Sequence, residues 1–227
     1  MQSVLRYPGL QNQPDRAEKQ GGLRQLLKRF LRAQFGQPTG VFGDLVGRIM
    51  ARTPSNLERI DWTISLLDVK PTDRVLEIGM GPGVAVELVS ALASQGHVVG
   101  VDHSDVMVRQ ARRRNARAAK EGTVELRLGS ASRLPAFSEP FDKIFSINSM
   151  HFWSDPVDCL KQLRKLLKPG GLIAVTLQPR SRGATDATAE ECGREMLANL
   201  ERAGFSQLSV EIRSMRPVAA ACARGVK

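Results

Sequence analysis

Val75-Leu76-Glu77-Ile78-Gly79-Met80-Gly81-Pro82-Gly83 is an apolar run with β-branched residues that closes on three glycines at alternate positions. Val84-Ala85-Val86-Glu87-Leu88-Val89, directly behind it, has helical spacing. That order reads as a strand turning tightly into a helix. Helix N-termini present unpaired N–H donors and the positive end of a dipole, and glycines let a ligand approach the backbone closely. Such a turn holds small anionic groups.

Downstream, the helix ends near Gly96, and His97-Val98-Val99-Gly100-Val101-Asp102 is a second short strand closing on an acid. Strand, glycine turn, helix, strand and acid make a βαβ unit of nucleotide-binding type. Ser104 or Asp105 caps a basic helix that runs to Gly122. Val124 to Leu128 alternates apolar and polar, as a third strand near a sheet edge does, and Gly129 to Pro135 is loop. Phe141 to Ile147 is the fourth strand, with Asn148-Ser149-Met150-His151-Phe152-Trp153 beyond its carboxyl end. Asp155-Pro156 opens a helix with Leu160, Leu163, Leu166 and Leu167 facing inward. Lys168-Pro169-Gly170-Gly171 stops that helix, and Leu172 to Leu177 is the fifth strand. After a polar loop, Thr188 to Glu191 offers a capping box for a helix to about Ala203, and residues 205–222 suggest two further strands around Pro217.

Upstream, residues 1–22 are polar, carry Pro8, Gly9, Pro14, Gly21 and Gly22, and read as a flexible arm. Leu23, Leu26, Leu27, Phe30 and Leu31 recur at helical spacing with Arg24, Lys28, Arg29 and Arg32 between them. A basic amphipathic helix of this kind packs on its own domain or lies on a membrane surface. After Gly36 to Gly43 a short helix follows, and Thr53-Pro54 then starts another with Leu57, Ile60, Ile64 and Leu67 on one stripe. The chain therefore divides into an arm (1–22), a helical cap (23–68) and a nucleotide-binding domain (69–227), with the cap placed to act as a lid.

The 227 residues and 42% apolar content suit one α/β domain. The first residues lack a signal-peptide core, and no run of eighteen apolar residues occurs, so a cytoplasmic, soluble protein is expected. Cys159, Cys192 and Cys222 are widely spaced, with no CxxC and no His at zinc-ligand spacing, so no metal is expected. The net charge of +10 suggests nucleic acid, an anionic membrane face or an anionic substrate. Its densest cluster, Arg109, Arg112, Arg113, Arg114, Arg117 and Lys120, lacks interleaved aromatics and reads as a solvated helix face before it reads as a nucleic-acid site.

The dinucleotide fingerprint G-x-G-x-x-G requires a last glycine where this chain has Val84. Taken together, Val75 to Gly83 as E-x-G-x-G-x-G, Val98 to Asp102, Gly129-Ser130-Ala131 with Leu134-Pro135, Phe141-Asp142, and Leu166-Leu167-Lys168-Pro169-Gly170-Gly171 resemble the class I S-adenosylmethionine-dependent methyltransferases. The resemblance covers roughly residues 55–222 and is similar to small bacterial enzymes that include the quinone-biosynthesis C-methyltransferases. It implies a Rossmann-like, doubly wound, mostly parallel seven-stranded sheet with an antiparallel last strand, S-adenosylmethionine as cofactor, and a small-molecule acceptor.

Carried over by position, the resemblance implies that Gly79, Met80, Gly81 and Gly83 lie against the methionine part of the cofactor, with Glu77 orienting that region. Asp102 is implied as acceptor for both ribose hydroxyls, with His103 beside the adenine. Ser130 and Ala131 stand at the adenine edge, where many relatives carry Asp then Ala. Asn148 is implied to meet the cofactor's amino end. Isolated glycines are otherwise turn formers, and an Asp ending a strand otherwise caps the next helix.

Methyl transfer from a sulfonium is an in-line displacement whose leaving group departs neutral, so close collinear positioning dominates. A base is needed only for acceptors that must lose a proton. His151, beyond the fourth strand at the ligand-binding end of the sheet, is the candidate base, with a pocket-lining role as the alternative. Trp62, Phe152 and Trp153 are candidates to line an apolar or aromatic acceptor, and Arg180 to meet an anionic one. The Asn/Asp-Pro-Pro-Tyr segment of many amino-group methyltransferases is absent after strand four. Methylation of RNA or another polyanion, a non-catalytic cofactor-binding protein and a nicotinamide dehydrogenase are the rival readings.

Overall fold

The computed structural model describes residues 53–227. The expected arm, the basic helix of residues 23–35 and the short helix after it lie outside the described residues. Helix α1 (Pro54–Leu67) has Pro54 in its first turn, where a missing N–H costs nothing, and ends on Asp68 in the left-handed region at φ 49°. Strand β1 (Arg74–Ile78) follows, then α2 (Val84–Leu92), β2 (His97–Asp102), α3 (Asp105–Arg114), α4 (Ala116–Lys120), β3 (Val124–Leu128) and β4 (Phe141–Ile147). A single 3-10 turn, Met150–Phe152, leads to α5 (Pro156–Leu166), β5 (Leu167–Leu177), α6 (Asp186–Arg202), β6 (Ser206–Arg213) and β7 (Ala220–Val226).

The seven strands form one sheet in the order β3-β2-β1-β4-β5-β7-β6. Strands β1 to β5 pair in parallel, and β7 is antiparallel to both β5 and β6. The strand order reverses between β1 and β4, which opens a crevice at their carboxyl ends, the place where open α/β sheets bind ligands. Both faces of the sheet are covered, so its central strands read as continuous apolar runs instead of alternating ones. Leu76, Ile78, Val99, Phe141 and Ile144 pack on one face with Leu160, Leu163, Met196 and Leu200 of α5 and α6. Val75, Val98 and Phe145 pack on the other with Ile60, Ile64, Leu67, Val86, Val89 and Val108 of α1, α2 and α3.

Three local expectations are corrected, and the described part of a fourth element is placed. The basic helix breaks at Asn115, whose buried side-chain amide donates to Gly83 O (3.1 Å) and Ala111 O (3.0 Å), so it serves the glycine turn as well as its own helix. The fifth strand starts at Leu167, because Lys168 to Gly171 continues the ladder across a register shift opposite Phe141 and Lys143. Helix α6 opens at Asp186, with Thr188 Oγ1 accepting from Thr185 N at 3.1 Å, and Asp186 Oδ1 accepting from Ala219 N at 2.7 Å. The segment of the expected cap that lies within the described residues, α1, is a sheet-covering helix packed into the core. Among the described residues, no helix is long and apolar enough to cross a membrane.

Candidate active site

The glycine turn takes its shape from backbone geometry only glycine adopts cheaply. Gly79 (φ +78°), Gly81 (φ +52°) and Gly83 (φ +77°) all sit in the left-handed region. Gly79 N donates to Val101 O at 2.8 Å, which draws the end of β1 onto β2. A Cβ on Gly79 would collide with the Cβ and Oγ of Ser149, whereas one on Gly81 would meet nothing within 4 Å. The backbone of Gly79 thus packs directly against the segment after β4, and the two line one side of a cleft together. That cleft is a cavity of about 160 Å³ lined by Gly79, Asp102, His103, Ser130, Ala131, Ser149, Phe152 and Trp153, among others.

Asp102 closes β2 and is 6% exposed. Its Oδ2 accepts from Gly81 N and its Oδ1 from Ser104 N, both at 2.9 Å. The backbone amide of His103 also bonds to this carboxylate, whose roughly four lone-pair sites still leave room for a further donor. Burial raises the Asp102 carboxyl above its ordinary value, while the amides of Ser104 and Gly81 and the neighbouring His103 ring pull the other way. His103 Nδ1 lies 3.7 Å from Asp102 Oδ1. Glu77 is wholly buried beneath the turn, and burial together with the nearby Asp102 charge pushes its carboxyl well above the usual range. The backbone amide of Val86 opposes the rise at Glu77, and those of Ser104, Gly81 and His103 oppose it at Asp102.

Of the remaining sequence candidates, Ser130 and Ala131 line the cavity, with Ser130 Oγ 3.2 Å from Ser132 Oγ. Trp153 also lines it, 8% exposed, its indole Nε1 donating to Ser149 Oγ at 3.2 Å. Met80 is buried below the turn, its sulfur facing Gly100. Asn148 adopts φ +51°, and its Oδ1 accepts from Gln178 N at 2.8 Å, which ties the end of β4 to the end of β5. Trp62 departs from expectation: at 6% exposure it belongs to the core under α1 and is not among the residues lining the cavity. The sequence reasoning passed over Ser149 and Ser132 as lining residues, and Arg59 and Gln178 altogether. The signal for Arg59 was present, since Asn56, Arg59 and Thr63 repeat at the spacing of the apolar stripe beside them.

His151 lies in the 3-10 turn, its ring 3.9 Å from that of Phe152, and is not among the lining residues. Burial lowers its imidazole to about 4. The folded state therefore resists protonating a group that titrates near 6.5 when unfolded. Below 6.5 the unfolded chain binds the extra proton, so stability is lost as pH falls from 6.5 towards 4 and is unaffected above. Denaturant titrations at pH 7 and 4.5 should show His151→Gln reducing this acid loss by about 2–3 kcal/mol. Equal acid losses in both proteins would show that the ring is solvated.

These features meet the demands of an adenosyl cofactor: a buried carboxylate with acceptor capacity left at the end of β2, a glycine wall against which a chain can lie, and a small-residue edge at Ser130 and Ala131. Comparison with known proteins agrees. Residues 75–171 match the family described as "Methyltransferase domain". The chain is 33% identical over 183 residues to the uncharacterized methyltransferase YdaC of Bacillus subtilis, spanning 81% of this chain and 98% of that protein. It belongs to the class I S-adenosylmethionine-dependent methyltransferases. This methyltransferase is also 31% identical over 112 residues to the demethylmenaquinone methyltransferase of Bacillus cereus (strain AH187), across 49% of its own length and 47% of the relative's. That partial overlap makes the similarity to quinone-biosynthesis enzymes a loose one. A SAM-dependent methyltransferase structure from Aquifex aeolicus superposes with a TM-score of 0.60 at 22% identity, covering 77% of this chain and 93% of that one, which speaks for the fold.

Proposed function

We propose that this methyltransferase acts on a small acceptor with an apolar or aromatic body, held at the Phe152 and Trp153 side of the cleft. The observation that supports this reading is the pairing, in one cavity, of the Asp102 and glycine-turn cradle with that aromatic wall. Bound in the cradle, S-adenosylmethionine supplies a methyl group on a sulfonium, activated for displacement. The protein's part is geometric. Asp102 anchors the ribose through the acceptor capacity that its amide bonds leave, the Gly79 backbone lets the methionine arm pass, and Ser149 holds the Trp153 indole as a fixed wall. Positioning of this kind removes roughly 7–11 kcal/mol of barrier.

Burial lowers the His151 imidazole to about 4 and so makes it a weak base. A base that weak takes a proton from a phenol only far uphill, so we assign His151 to shaping the 3-10 turn that presents Phe152 and Trp153 instead of to proton abstraction. The polyanion reading is disfavoured by the basic helix itself. Arg109 pairs with Asp105, Arg114 with Glu87 and Arg117 with Glu121, and Arg112 donates to Leu126 O, so much of that charge is engaged within the fold. A methyl-transfer screen over phenol, thiol, amine, carboxylate and RNA acceptors, read by product mass, tests the proposal. Turnover of a small aromatic acceptor that is insensitive to salt is expected. Turnover of RNA alone, falling steeply with salt, overturns it.

A further inference from the structure

Beside the cradle, at the carboxyl end of β5, two arginines converge on one neutral oxygen. Gln178 Oε1 accepts from Arg59 Nη1 at 2.5 Å and from Arg180 Nη2 at 3.2 Å. The remaining partners of Arg59 are also uncharged: Nη1 lies 3.4 Å from Ser55 O, and Nη2 donates to Asn56 Oδ1. Arg59 is 2% exposed and its Nε is buried without a hydrogen-bond partner. Among the described residues, neither guanidinium has a carboxylate within ion-pair distance. Gln178 is held from behind, its Nε2 donating to Val218 O at 2.7 Å and Arg216 O at 3.2 Å, so its carbonyl is fixed towards the two cations.

A buried cation left without an anion is costly, and a second cation beside it compounds the cost. Burial and the Arg180 charge together lower Arg59 to about 9. The cluster is therefore electrostatically incomplete, and planar arginine forks match carboxylate and phosphate oxygens in particular. Its place in the fold says what completes it. Gln178 N is bonded to Asn148 Oδ1, and the next residue, Ser149, lines the cofactor cavity. Asp102 on β2 stands three strands away from β5, about 14 Å at usual strand spacing, so the cluster lies on the far side of the cradle from the ribose anchor. We propose that Arg59 and Arg180, held together by the carbonyl of Gln178, form a subsite for an anionic group, a carboxylate or phosphate, carried by the methyl acceptor. Arg180 is the exposed contact, and Arg59 is the fixed charge behind it. The proposal rests on the methyltransferase reading of the cradle.

The test uses the full chain loaded with S-adenosylhomocysteine, melted in acetate, benzoate or phosphate against chloride at constant ionic strength. At least one of these anions should raise the wild-type melting temperature by about 3 °C at ten times its dissociation constant. Arg180→Gln and Arg59→Met should abolish that rise, and Arg59→Met without anion should be no less stable than wild type, since an unpaired buried charge has gone. Binding of S-adenosylhomocysteine and of 5′-methylthioadenosine, which lacks the amino-acid arm, is measured in parallel. If both variants weaken only the former and no anion protects the loaded wild type, the subsite belongs to the cofactor's own carboxylate and the proposal falls. It falls equally if the anions stabilise wild type and Arg180→Gln alike. Failure of the wild type to bind S-adenosylhomocysteine at all would instead overturn the reading of the cradle.

Discussion

Asp102→Ala should weaken S-adenosylhomocysteine roughly ten- to hundred-fold, about 1.5–3 kcal/mol, the range for hydrogen bonds to a charged group. Two losses combine in that figure. The carboxylate itself is proposed to anchor the ribose, and it also orders the site by accepting the amides of Gly81 and Ser104. Without it, the glycine turn and the first turn of α3 each keep a buried N–H with no acceptor. The two contributions separate if binding is measured with the 2′-deoxy analogue as well. Wild type should discriminate against the analogue and Asp102→Ala should not, because the coupling between a side chain and the hydroxyl it binds vanishes when either is removed. Unchanged affinity for S-adenosylhomocysteine in Asp102→Ala would show that the ribose lies elsewhere. Calorimetric titration reads both arms.

Gly79→Ala should cost about 2–4 kcal/mol of unfolding free energy and remove cofactor binding, while Gly81→Ala should cost about 1 kcal/mol. Both residues hold a positive φ, so both variants incur the left-handed penalty of a residue with a Cβ. They differ in what the added methyl meets. At position 79 it runs into Ser149, through both its Cβ and its Oγ, so the side chain cannot simply swing away. At position 81 it meets open space. Relief of the collision requires the segment after β4 to retreat, which widens the cleft and displaces the Trp153 indole bonded to Ser149. Ser149→Gly in the Gly79→Ala background should therefore recover part of the loss, and urea denaturation of the four proteins checks it. Equal costs at 79 and 81 would mean that the wall is soft.

Much of the fold was legible because its signals are local. Asp155-Pro156 marked the start of α5, and Asp155 Oδ1 does accept from Asp158 N at 3.0 Å. Ser104 or Asp105 was read as the cap of α3, and it is Ser104 whose Oγ accepts from Met107 N at 3.4 Å. The alternation in Val124 to Leu128 marked an edge strand, and β3 is at the edge. Misreadings fell where a distant contact overrides the local pattern. The basic helix has unbroken helical spacing, yet Asn115 turns its amide to Gly83, thirty-two residues away in sequence, and the helix breaks there. Lys-Pro-Gly-Gly looks like a stop, yet Leu167 pairs with Phe141 and carries the strand across it.

The sequence by itself determined a nucleotide-binding βαβ unit, because a strand, a glycine turn and an acid are adjacent or one βα unit apart, and the methyl donor followed from its resemblance to the class I methyltransferases. Only the tertiary structure decided what the side chains around that site do. Trp62, an apolar candidate for the pocket, lies in the core. His151, a base by its ordinary titration, is made a weak one by burial. Arg59 and Arg180 are 121 residues apart and meet at Gln178 only because α1 packs across the ends of β4 and β5. Charge state and pairing are set by burial and by neighbours from distant parts of the chain, and the linear order of residues does not contain either.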